Sequence, residues 1–87
     1  VRDMNFVQIE MSNERLAEDV KYSVLSNKLA RTVTVVGGTR SFNVEHGIKD
    51  VKSFVVTFQT EKLDEIKTMM TDPSLKAASM SAWEMTD

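Results

Sequence analysis

Residues 51–70, VKSFVVTFQTEKLDEIKTMM, change hydrophobic period in the middle of the run. Over 51–59 the apolar side chains alternate as in a strand. Phe54, Val56 and Phe58 fall on one face, Val51 and Val55 on the other. From Glu61 onward Leu63, Ile66, Met69 and Met70 take helical spacing, with Thr60 at the junction as the expected helix cap. A strand apolar on both faces implies a sheet covered on both faces. Helices of an 87-residue chain can cover one face. The other calls for a second copy of the chain, because so short a chain has little core of its own.

The rest of the chain supplies the partners of this strand. Residues 5–11 alternate Val7, Ile9 and Met11 with Gln8 and Glu10, which predicts a strand, and Phe6 adds an aromatic to its other face. Ser12 or Asn13 then offers an N-cap to a helix over about 13–29. Leu16, Val20 and Val24 step by four along it, joined by Ala17, Leu25 and Leu29 in one apolar stripe. Residues 31–36 are β-rich, and 39–46 resume alternation with Phe42, Val44 and His46 on one face. Gly37 and Gly38 between them fit either a tight hairpin turn or a bulge within one long strand. Residues 46–50 suit a turn. Asp72-Pro73 ends the second helix and starts a new short turn, Asp72 as its N-cap and Pro73 at its first position. Leu75, Ala78 and Met80 face inward from that turn, and 81–86 form a last short strand.

The order is strand, helix, strand pair, helix, short turn, strand, across a single domain of residues 1–87. That is the split βαβ or ferredoxin-like arrangement of the α+β class: an antiparallel sheet with two helices on one face. The free face then pairs sheet to sheet with a second copy in a homodimer.

Composition narrows the chemistry. The chain has no cysteine, so disulfides, thiolate nucleophiles and thiolate metal sites are excluded. With one histidine no ordinary zinc site can be assembled, and no metal site is expected. The net charge of −2 disfavours general affinity for nucleic acid or an anionic membrane. No run reaches the length of a membrane span, and no leader is expected ahead of the fold. The expected compartment is therefore the cytoplasm. Met4 fits a natural start, with Val1, Arg2 and Asp3 as a remnant outside the native chain.

Residues 71–83, TDPSLKAASMSAW, place a small–Pro–x–Leu–Lys turn between a helix and a final strand. In this, and in its element order, the chain resembles the dimeric α/β-barrel superfamily, of the antibiotic-biosynthesis-monooxygenase-like or stress-responsive type. The resemblance implies a homodimer joined back to back through its sheets. It also implies a modest apolar pocket that binds or transforms a small hydrophobic metabolite without a bound cofactor. A second resemblance runs through 52–58, KSFVVTF, which looks like the aromatic strand of RNA-recognition motifs. Phe6-Val7 stands where their first-strand motif would be. That reading requires Phe6, Phe54 and Phe58 on an open, solvent-facing sheet surface. A non-catalytic interaction or regulatory module is the remaining alternative; it requires a filled core.

Among single residues, His46 is the one side chain whose ordinary pKa lies near neutrality, and it is the candidate general base, with Asp50 as its acid partner across a turn. Tyr22 and Trp83 carry a polar handle on an aromatic body. With Phe54 they are the candidate ligand-binding residues, lining a cavity between helices and sheet. The methionines 11, 69, 70, 80 and 85 would form its deformable walls. Arg31 and Arg40 flank the β-rich segment, where each either holds an anionic group or blunts a sheet edge.

Overall fold

The computed structural model describes residues 4–75, 77 and 79–84. Four strands, two helices and a short 3-10 turn follow in the order expected. They are β1 (Asn5–Met11), α1 (Glu14–Ser26), β2 (Val33–Val44), β3 (Gly47–Thr60), α2 (Leu63–Met69), the turn Pro73–Leu75 and β4 (Ser79–Glu84). The sheet order is β2-β3-β1-β4, and every pairing is antiparallel. This is the ferredoxin-like α+β fold.

The register decides which side chains stay dry. Val7, Ile9 and Met11 of β1 stand opposite Phe58, Val56 and Phe54 of β3. This row faces Ala17, Val20 and Val24 of α1, Ile66 of α2 and Leu75, and together they make the core. Val7, Ile9, Met11, Val20, Val24, Val56 and Ile66 are wholly removed from water. Each such side chain contributes roughly 1.5–3 kcal/mol by its burial.

α1 is shorter at its end than the sequence suggests. Asn13 is the N-cap, its side-chain oxygen accepting the Leu16 N–H at 2.8 Å. At the other end Lys28 takes a left-handed conformation, φ +56°. Its N–H donates to the Leu25 carbonyl at 3.1 Å, and that of Leu29 to the Val24 carbonyl at 2.9 Å. These two bonds are the Schellman stop, and the accompanying apolar contact is the buried pair Val24 and Leu29. The apolar stripe runs on to Leu29, but the helix does not: Leu29 reaches the core from the loop.

The glycine pair is neither a turn nor a bulge. β2 runs straight through Gly37 and Gly38 in unbroken register with Phe54 and Ser53. A Cβ on Gly37 would come within 3.0 Å of the Phe54 ring, so its absence makes room for that ring rather than for a bend. The hairpin turns later, at Glu45-His46, and Gly47 (φ +144°) closes it with a backbone that side chains rarely adopt. β3 thus starts at Gly47 and not at Val51, and 46–50 is mostly strand.

Thr60 is not the cap of α2. The helix begins at Leu63, with Lys62 in the cap position and no side chain bonded there. Thr60 is almost fully buried; its hydroxyl donates to the Leu29 carbonyl at 2.6 Å and accepts the Lys62 N–H at 2.9 Å. One hydroxyl therefore ties together the end of β3, the exit of α1 and the approach to α2. The Asp72–Pro73 turn forms as expected. Asp72 accepts from the backbone and hydroxyl of Ser74, which holds its carboxyl below the usual value. β4 spans Ser79–Glu84, two residues earlier at its start than 81–86; Ala78, Met85 and Thr86 lie outside the described residues.

Two substitutions test these joints. Thr60→Val leaves the Leu29 carbonyl and the Lys62 N–H without a partner, so urea unfolding should show a loss of about 1–3 kcal/mol. Lys28→Gly removes the left-handed strain of a side-chain-bearing residue and should raise stability by about 0.5–1 kcal/mol in the same assay.

Candidate functional site

β1 ends at Met11, opposite Phe54, while β2 and β3 continue. The pairs from Gly38–Ser53 to Val44–Gly47 therefore form a two-stranded arm with no third strand beside it. At about 3.3 Å per residue the arm adds roughly 20 Å, and the molecule is correspondingly long, 51 × 29 × 20 Å.

Strand alternation gives the arm two unlike faces. Phe42, Val44 and Val51 share the helix-free side of the sheet with Val36 and Val55, and Arg40 and Lys49 stand beside them on that side. Thr39, Ser41, Asn43, Asp50 and Lys52 take the other side, with Ile48 as its one apolar member. Val36, Phe42, Val44 and Val51 are exposed in the single chain. Val51 and Val55 do stand on the helix-free face, as the alternation requires. Farther from the arm tip that face turns polar, with Gln8, Thr34, Thr57, Gln59 and Ser81. Phe6 and Trp83 lie at its end, their rings 5.7 Å apart and tilted by 38°. Arg40 of β2 reaches across β3 to form an ion pair with Glu10 of β1.

The residues singled out from the sequence are not brought together. His46 sits exposed in the turn at the arm tip. Asp50, proposed as its acid, accepts a hydrogen bond from the Ser41 hydroxyl at 2.6 Å instead. Tyr22 projects from α1 and is 73% exposed. Trp83 is 51% exposed on the helix-free face, whereas Phe54 lies half-buried on the helix side. Neither Tyr22 nor Trp83 lines a space between helices and sheet. Met11 is core, Met69, Met70 and Met80 pack partly against it, and Met85 lies outside the described residues.

The aromatic platform required for RNA stacking is not formed. Phe54 and Phe58 face the helices, and Phe6 alone of the three stands on the helix-free side. The run 52–58 carries two aromatics, Phe54 and Phe58, and its period of two sends both toward the helices.

The turn expected at 46–50 hides the arm in the sequence, because it shortens β3 by several residues. The available signal is the alternation of Phe42 and Val44, followed three residues later by Gly47. Among the described residues no group of three or more His, Cys, Asp or Glu is gathered as metal ligands. Also among them, no helix is long and apolar enough to cross a membrane.

No protein-family model matches the chain, and no curated protein matches it in sequence. Solved structures do match in fold. CutA1 from Oryza sativa superposes with a TM-score of 0.77 at 16% identity, covering 99% of this chain and 83% of that one. The divalent ion tolerance protein CutA1 from Ehrlichia chaffeensis gives 0.78 at 13% identity, covering 100% and 85%. The periplasmic divalent cation tolerance protein CutA from Archaeoglobus fulgidus gives 0.70 at 21% identity, covering 97% and 83%. At these identities the likeness is one of fold.

Proposed function

We propose that this chain is a non-catalytic subunit of a homo-oligomer, the homodimer being its smallest form, assembled through the arm and the apolar half of the helix-free face. The observation that carries this reading is the arm itself. A two-stranded hairpin is marginal in water without a hydrophobic surface to pack on. This one extends seven residue pairs past its last neighbouring strand, with Phe42, Val44 and Val51 on one side. A long exposed edge with such a face is a template for further pairing. A second copy of the chain would cover it and would continue the apolar row of Val36 and Val55.

The position of His46 favours a non-catalytic role. It is held at an exposed tip with its proposed acid bonded elsewhere, an arrangement that supplies neither a dry pocket nor an oriented base. A role in divalent cation tolerance enters the reading from the fold neighbours alone.

Sedimentation equilibrium at tens of micromolar chain should give a multiple of the single-chain mass. Phe42→Asp should weaken assembly about tenfold or more, as loss of a central apolar anchor does, with the helical circular dichroism retained. Ile48→Lys, on the opposite face of the arm, should leave the mass unchanged. A wild-type monomer, or equal effects of the two substitutions, would overturn the reading. The cation role has its own test: removing the protein from its host should lower the divalent metal concentration tolerated. Unchanged tolerance would remove that role and leave the assembly standing.

A further inference from the structure

The two arginines that flank the β-rich segment meet different fates. Arg40 is neutralised by Glu10. Arg31, just before β2, makes no ion pair among the described residues and is exposed. It borders a cleft of about 360 Å³ on the polar half of the helix-free face. Thr34, Thr57 and Gln59 line the cleft, and Phe6 and Met4 form apolar wall. Thr34 and Thr57 are directly paired across β2 and β3, and Gln59 is paired with Phe6 across β3 and β1. Two hydroxyls and one amide are therefore held by two adjacent strands, β2 and β3, with the guanidinium on the segment that leads into β2. Among the described residues none of these four side chains makes a hydrogen bond within the chain.

The electrostatics point the same way. The chain as a whole carries a net charge of −2. A second cleft adjoins the first, sharing Met4, Arg31 and Gln59, and Lys28 and Lys62 border it with Glu61 as its acid. The borders of the two clefts thus carry three cations, Lys28, Arg31 and Lys62, against Glu61, a local excess that would draw in an anion.

We propose that the Arg31 cleft binds a small monocarboxylate with an aromatic body. A guanidinium takes a carboxylate as a two-point fork, and the flanking hydroxyls and amide can complete the remaining lone pairs. Phe6, its ring backed by Trp83, offers a flat apolar wall for the body of the ligand. The volume lies at the lower end of the range of small-molecule sites, roughly 300–1,000 Å³, which fits one or two fused rings. A single guanidinium among neutral donors matches one negative charge better than two. This explains a role for Trp83 that no cavity between helices and sheet provides: it braces Phe6 from outside the cleft. The cleft uses residues of one chain and lies on the polar half of the face, away from the apolar half assigned to assembly.

The probe is 2-naphthoate, titrated into the isotopically labelled full chain and followed by amide shifts. The expected result is saturable binding in the millimolar range or tighter, with the largest shifts at Thr34, Thr57 and Gln59. The neutral isostere 2-naphthamide and the Arg31→Met variant should each bind about tenfold or more weakly, the loss of one charge-assisted pair. The solution mass of Arg31→Met should equal that of the wild type, which separates this proposal from the assembly reading. Absence of saturable shifts, shifts centred elsewhere, equal binding of the amide, or an unaffected Arg31→Met would each overturn it.

Discussion

β3 keeps step with two neighbours at once, and the other features depend on that shared register. It pairs with β1 from Phe54 to Thr60 and with β2 from Gly47 to Phe58, with no residue skipped on either side. Phe54, Val56, Phe58 and Thr60 are thereby held toward the helices, and Val51, Val55, Thr57 and Gln59 away from them. A slip of one residue against either neighbour would carry Val56 and Phe58 out of the core and bring polar side chains in. The cost would be several buried side chains at roughly 1.5–3 kcal/mol each, which is of the order of a small domain's whole stability. Gly37 belongs to the same constraint, because the Phe54 ring needs the space a side chain there would fill.

Unequal strand lengths convert this register into an arm. β1 stops at Met11 because Asn13 caps the helix that follows. β2 and β3 meet no such stop until Glu45-His46 turns the chain. Past Met11 no third strand among the described residues flanks the ribbon, and Phe42, Val44 and Val51 remain exposed in the single chain. An amphipathic ribbon projecting from the core adds little to the stability of the single chain.

The helix-free face divides along its length. Toward the arm it is apolar, and the Arg40–Glu10 ion pair crosses β3 there. Toward Phe6 and Trp83 it is polar, with an arginine that has no counterion among the described residues. The same residue type serves two ends because its neighbours differ. Arg40 stands within reach of a carboxylate two strands away, whereas Arg31 looks over hydroxyls and an amide. An antiparallel sheet permits this, since one of its faces can meet water and partner in separate zones.

Much of this was legible in the linear pattern. Alternation at Val7, Ile9, Met11 and at Phe54, Val56, Phe58 marked two core strands, and the four-residue step of Leu16, Val20 and Val24 marked α1. Strand–helix–strand–strand–helix–strand order then gave the fold, because short antiparallel connections leave few other ways to bury one face. Such readings succeed where a local period is set by burial on a single side. They fail where distant residues meet. That Thr60 bonds to Leu29 rather than capping α2, that Asp50 engages Ser41 rather than His46, and that Tyr22, Trp83 and Phe54 part company were decided by tertiary structure. So was the difference between Arg31 and Arg40, which flank one segment and look equivalent in the chain. Alternation tells which residues share a face, but a side chain's partner is chosen by strand register and by where each neighbouring strand ends, and both arise only when separate segments are packed against one another.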